Sequence, residues 1–275
     1  MNSSNPVFSR RGFFRDVSRV PLDTGYRDPS ASYVDQVRAP DLNETCPASS
    51  AMTIDDVVTR TAIAFGTVSL AAVLSWVILP VDGAEIGRSY GIAVGSAVAA
   101  FVLALTQLAK RKPSPVLILA YAALEGDFLG VVSSITSAFI SPGIVIQAVL
   151  GTLAVFAGVL IAYKKRWIRV TRRFHGFTIA AAAGLALLMV ADLLFSSFGA
   201  GNGLGFSSGS LGVLFGVFGI VLGACFLALD FRQVEDGIAS GAPRDESWTA
   251  AFGLTTTLVW IYLEMLRVLT ILRSE

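Results

Sequence analysis

Seven apolar runs, each close to the ~20 residues a helix needs to cross ~30 Å of hydrocarbon, leave this chain few folds to choose from. They cover about 61–80, 90–108, 116–139, 144–163, 177–198, 211–230 and 248–272. Composition agrees: 54% of the 275 residues are hydrophobic and 15% charged, and the mean hydropathy is +0.67. A soluble domain carries about a quarter charged residues. The expected fold is an all-α, seven-helix integral membrane bundle spanning 59–275, preceded by a disordered, cytoplasmic tail over 1–58.

The breaks between runs are chemically distinct. Pro80 and a polar loop end the first run, and Lys110, Arg111 and Lys112 close the second. Pro113 and Pro115 open the third, while Ser141-Pro142-Gly143 turns into the fourth. A basic loop (Lys164, Lys165, Arg166, Arg169, Arg172, Arg173) precedes the fifth, and an uncharged Gly/Ser-rich loop precedes the sixth. Positive charge collects on cytoplasmic loops. The second–third and fourth–fifth loops are therefore expected inside, with the N-terminus. The side reached by the C-terminus stays open, because Arg267 and Arg273 favour the inner face over the outer one that a seventh full crossing gives.

The tail is rich in Arg, Asp, Ser and Pro and too polar to build a core. It lacks the apolar stretch of a secretory signal. A short interfacial helix is expected from Thr53, with Asp55 and Asp56 at its N-terminus. Small-residue stripes, Gly91-xxx-Gly95-xxx-Ala99 in the second run and Gly212-xxx-Gly216 with Gly219-xxx-Gly223 in the sixth, predict close helix packing.

Against this apolar background the ionisable residues stand out. A charge at the bilayer centre costs at least ~2.5–3.5 kcal/mol, so such residues turn to a bundle interior or a watery cavity. Glu264 and Arg267 lie well inside the last run, three residues apart, and can share a helix face. A local ion pair is the plainer reading of the two; a functional site is the other. Asp230 closes the sixth run and can approach Glu264 across the intervening loop 231–247. Two carboxylates in one desolvated site do not readily both ionise, and they titrate as a unit. Such a pair makes a proton sensor and, when ionised, a transient all-oxygen site for Ca²⁺. Glu125, Asp127 and Asp192 are secondary candidates; the first two, two residues apart, point in different directions.

Much chemistry is excluded or disfavoured. His175 is the one histidine, so paired-histidine and zincin sites are absent, and Cys46 and Cys225 have no metal-ligand spacing. No nucleophile–base pair or two-aspartate protease motif is present, no lysine in the last run could hold retinal, and no basic stripe suits nucleic acid. The chain is read as a non-enzyme without a cofactor.

The segments SSNPVFSR, AYAALEGDFLG (120–130), VLGTLAVFAGVLIAYK (149–164), LALDF (227–231) and WIYLEMLRVLTILRS (260–274), in this order and spacing, resemble the Bax inhibitor-1 family, in its actinobacterial type. The resemblance implies a bundle with the last helix central and a pH-sensitive calcium leak governed by two acids, placed by motif at Asp230 and Glu264. The family's aspartate in the last helix is Glu here, and the last loop looks longer. It further implies a basic latch on the sixth-helix acid, with Lys110, Arg111 and Lys112 as candidates. The expectation is a monomeric, multi-pass plasma-membrane protein leaking calcium or another cation under proton control. The alternative is a non-transporting regulator that modulates a membrane protease or a stress response through a protein partner bound by its tail.

Overall fold

The computed structural model describes residues 51–79, 81, 86–110, 112–198 and 208–274. The tail over 1–50 and Arg111 lie outside them. Seven helices account for nearly all of the described chain, and each is long and apolar enough to cross a membrane. They are α1 (Ile54–Ile78), α2 (Ile86–Ala109), α3 (Pro115–Phe139), α4 (Ile144–Lys164), α5 (Arg172–Ser197), α6 (Gly209–Ala239) and α7 (Glu246–Ser274).

Local chemistry fixes several ends. Thr53 and Asp56 form a reciprocal capping box, each side chain accepting from the other's backbone N–H, and α1 starts there. Pro115 opens α3 at a position where its missing N–H costs nothing. Thr171 accepts from Phe174 N–H and starts α5.

Two boundaries differ from the sequence expectation. The helix begun at Thr53 is no separate interfacial segment: it runs unbroken into the first span, so the expected domain boundary at 58/59 falls inside α1. Likewise α6 continues past Asp230 to Ala239, and the long polar loop shrinks to 240–245. Both extensions are polar helix, which hydropathy does not mark. Arg172 and Arg173 belong to the first turn of α5 rather than to the loop.

α7 is the most buried helix, with 56% of its apolar window inside the protein. It packs against α1, α3, α4 and α6, while α2 leans on α3 and α5 on α6. The two glycine stripes fare differently. A Cβ at Gly91 or Gly95 would meet nothing within 4 Å, so the α2 stripe makes no close helix contact. In α6, a Cβ at Gly216, Gly219 or Gly223 would run into α7 side chains. A third pair escaped the sequence reading: Gly126 and Gly130 of α3 lie against the backbone carbonyls of Val68 and Ala72 in α1, where no side chain fits.

Candidate functional site

The α6–α7 seam carries both carboxylates singled out from the sequence, at different heights. Asp230 is half-buried on α6, and its Oδ2 accepts a hydrogen bond from Thr257 Oγ1 of α7 at 2.6 Å. One turn earlier on α7, Gly253 leaves room for it: a Cβ there would stand 3.2 Å from Asp230 Oδ1. The space opposite Asp230 is thus shaped by a glycine and closed by a hydroxyl.

Glu264 sits two turns further along the same face of α7, seven residues from Thr257, or about 10 Å at helical rise. It is 6% exposed. Gly219 of α6 makes its seat, since a Cβ there would fall 2.8 Å from Glu264 Cδ; Gly216 borders Oε2 at 3.8 Å by the same measure. Trp260 Nε1 donates to Gly219 O at 3.3 Å and ties the seam at this level. Arg267, one turn on, brings Nη1 to 3.6 Å from Glu264 Oε2, which makes no hydrogen bond. The local ion pair weighed from the sequence is therefore formed.

The two acids share a seam but are not neighbours. Glu264 does not meet Asp230; Thr257 occupies the place across from it. The resemblance places the second carboxylate at Glu264, two turns further along α7, and the group across from Asp230 is a neutral hydroxyl. The reason is register. The glycine contacts bring Gly219 opposite Glu264, eleven residues before Asp230, or about 16 Å along α6. The Asp230–Glu264 calcium site expected from the sequence is not assembled. Calcium takes six to eight oxygens, and among the described residues no group of three or more His, Cys, Asp or Glu is clustered for a metal.

Among the described residues, the latch is not formed either. Lys110 and Lys112 are exposed at the end of α2 and the start of the next connection, and α2 does not pack on α6. Arg111 lies outside the described residues. In α3, Asp127 accepts a short hydrogen bond from Ser96 of α2, and its backbone carbonyl accepts one from Ser75 of α1 at 3.0 Å. It knits three helices together. Glu125, half-buried, points elsewhere as its spacing requires, one turn beyond Tyr121, whose ring meets Phe252 of α7 edge-on at 5.0 Å. Asp192 is half-buried on the peripheral α5, away from α7.

A polar clasp at the start of α1 and α7 was not foreseen. Met52 N donates to Ala242 O at 2.8 Å, and Arg244 grips Asp56 Oδ1 through Nε and Nη2, both at 2.8 Å. Arg60 donates to Arg244 O at 2.7 Å and lies over the Trp248 ring at 5.2 Å. These contacts put the first residues of α1 and the α6–α7 loop at one end of the bundle.

A scan against protein families matches the "Bax inhibitor 1 like" model over residues 5–274. No curated protein matches the chain. With seven apolar helices and a family match spanning nearly its whole length, this multi-pass membrane protein belongs to the Bax inhibitor 1 like family.

Proposed function

We propose that the protein is a pH-sensitive cation leak of the plasma membrane, working as a monomer with its N-terminus in the cytoplasm, and that calcium is the ion it passes. One observation carries this reading: two carboxylates stacked along one helix seam inside the spanning region, with an arginine beside the second. Replacing buried charge pairs by apolar groups often stabilises a protein, so stability alone does not account for them. Intramembrane acids mark ion or proton pathways.

In this mechanism the acids act at two separate stations. Asp230 and Thr257 bridge α6 to α7 near the clasp end. Protonating Asp230 removes its charge and weakens the bridge; protonating Glu264 cancels its attraction for Arg267. The first step loosens α7 from α6, and the second removes charge from the glycine seat of Glu264 so that α7 shifts more easily; flux rises as pH falls. Calcium is the substrate of this pathway, held in passing rather than resident.

Calcium flux into vesicles holding the purified protein, taken from about pH 8 to about pH 5, tests the reading. Wild type should leak more at the acid end, Glu264→Gln should flatten the profile, and Asp230→Asn should raise flux at the alkaline end. Flux equal to that of empty vesicles at every pH rejects the leak. The clasp favours a second reading, a regulator without transport, because it ties the residues following the tail to the loop that leads into α7. Removing residues 1–50 should spare a leak and abolish a tail-mediated interaction.

A further inference from the structure

Between α1 and α4, which do not touch each other, the bundle opens sideways into a groove of about 530 Å³. Its walls are Phe65, Val73 and Trp76 of α1 and Val149 and Leu153 of α4, and its floor includes Val259 and Tyr262 of α7. No lining residue is charged. The main polar groups of the inner surface are already engaged: Tyr262 and Ser133 hydroxyls bond each other at 2.6 Å, and Thr152 donates to Ala148 O of its own helix at 2.9 Å. A polar ligand would find little to bond, whereas an apolar chain would find a complementary surface.

The setting identifies that chain. Every lining residue belongs to a helix that spans the bilayer, so the groove opens onto hydrocarbon rather than water. It occupies the half of the bundle away from the clasp, from Phe65 to Val77 on α1 and from Val145 to Leu153 on α4. Its rim carries exposed apolar side chains, Val73, Val77, Val149 and Leu153, continuous with the lipid-facing surface. Trp76 stands near the end of α1, where an indole suits the headgroup level. A groove of this volume is in the range of built small-molecule sites.

We infer that this groove seats one acyl chain of a phospholipid from the leaflet opposite the clasp. The chain lies against the side of α7 that carries Val259 and Tyr262, while residues 257 and 264 of the same helix face α6. Lipid in the groove therefore backs α7 and presses it towards the α6–α7 seam. The inference is independent of which ion, if any, passes.

The test is stepwise delipidation of the full chain in detergent, read by native mass spectrometry, beside Val149→Trp and Leu153→Trp. Each indole fills the groove from an exposed rim position, and circular dichroism checks that helix content is kept. Wild type should keep one phospholipid after bulk lipid is gone, and both folded variants should lose it. Trp76 fluorescence, read in a chain with Trp167, Trp248 and Trp260 changed to Phe, should also be quenched by a small fraction of phospholipid brominated along its acyl chains, with saturation. Three results overturn the proposal: no lipid retained by wild type together with linear, unsaturated quenching of Trp76; lipid retained equally by the filled variants; or a dimer of this chain that the filling residues dissociate.

Discussion

Asp230 and Glu264 show two ways of holding a carboxylate inside a membrane bundle. Asp230 is held across helices, by the hydroxyl of Thr257 on α7. Glu264 is held by its own helix, with Arg267 one turn away, and α6 contributes only the absence of side chains at Gly216 and Gly219. Any shift of α7 along α6 breaks the first arrangement and carries the second along intact. One acid therefore reports the position of the seam, and the other travels with the moving part.

The largest expected effect comes from breaking the pair that travels. Arg267→Leu leaves Glu264 buried beside glycine without its partner, and losing one member of a buried pair costs about 3–5 kcal/mol. Thermal unfolding in detergent should show this as a large drop, partly restored by Glu264→Gln in the same chain. Next comes the seat. Gly219→Val puts methyl groups where the Glu264 carboxyl stands, and overpacking of this kind costs about 1–3 kcal/mol. Gly91→Val, on the α2 stripe that meets nothing, should stay within about 0.5 kcal/mol of wild type by the same measurement.

Thr257→Val removes the hydroxyl from Asp230 and should cost about 1–2 kcal/mol. Thr257→Asp is the sharper variant, since it places a second carboxylate across from Asp230. Two acids within hydrogen-bonding reach titrate as a unit, so the pH dependence of calcium flux should change in midpoint or steepness, not merely in amplitude. A small effect belongs to the clasp as well. Arg244→Ala breaks a surface ion pair whose arginine is mostly exposed, and should barely move the unfolding temperature.

Hydropathy made the seven spans legible, because a bilayer leaves long apolar runs as the dominant signal. It marks hydrocarbon rather than helix, so it reads the polar end at 54–60 as a separate short helix and the one at 231–239 as loop. The ionisable residues were legible for the same reason: a Glu or Asp among leucines is conspicuous. Their partners were not. Which side chain faces Asp230 depends on the register of α6 against α7, and register is set by glycines whose pairing no single helix reveals. The stripe at Gly91 and Gly95 looks as promising as Gly126 and Gly130 until the neighbouring backbone is seen. Three threonines in a row, Thr255 to Thr257, were a usable hint, since so polar a patch on an apolar helix has to face something.

Separate stations are the central claim, and a double-mutant cycle measures separateness directly. Unfolding free energies of Asp230→Asn, Glu264→Gln and the double variant should add to within about 0.5 kcal/mol, as for sites that share no partner. A coupling energy of more than about 1 kcal/mol would show that the two carboxylates act as one site and would contradict the account.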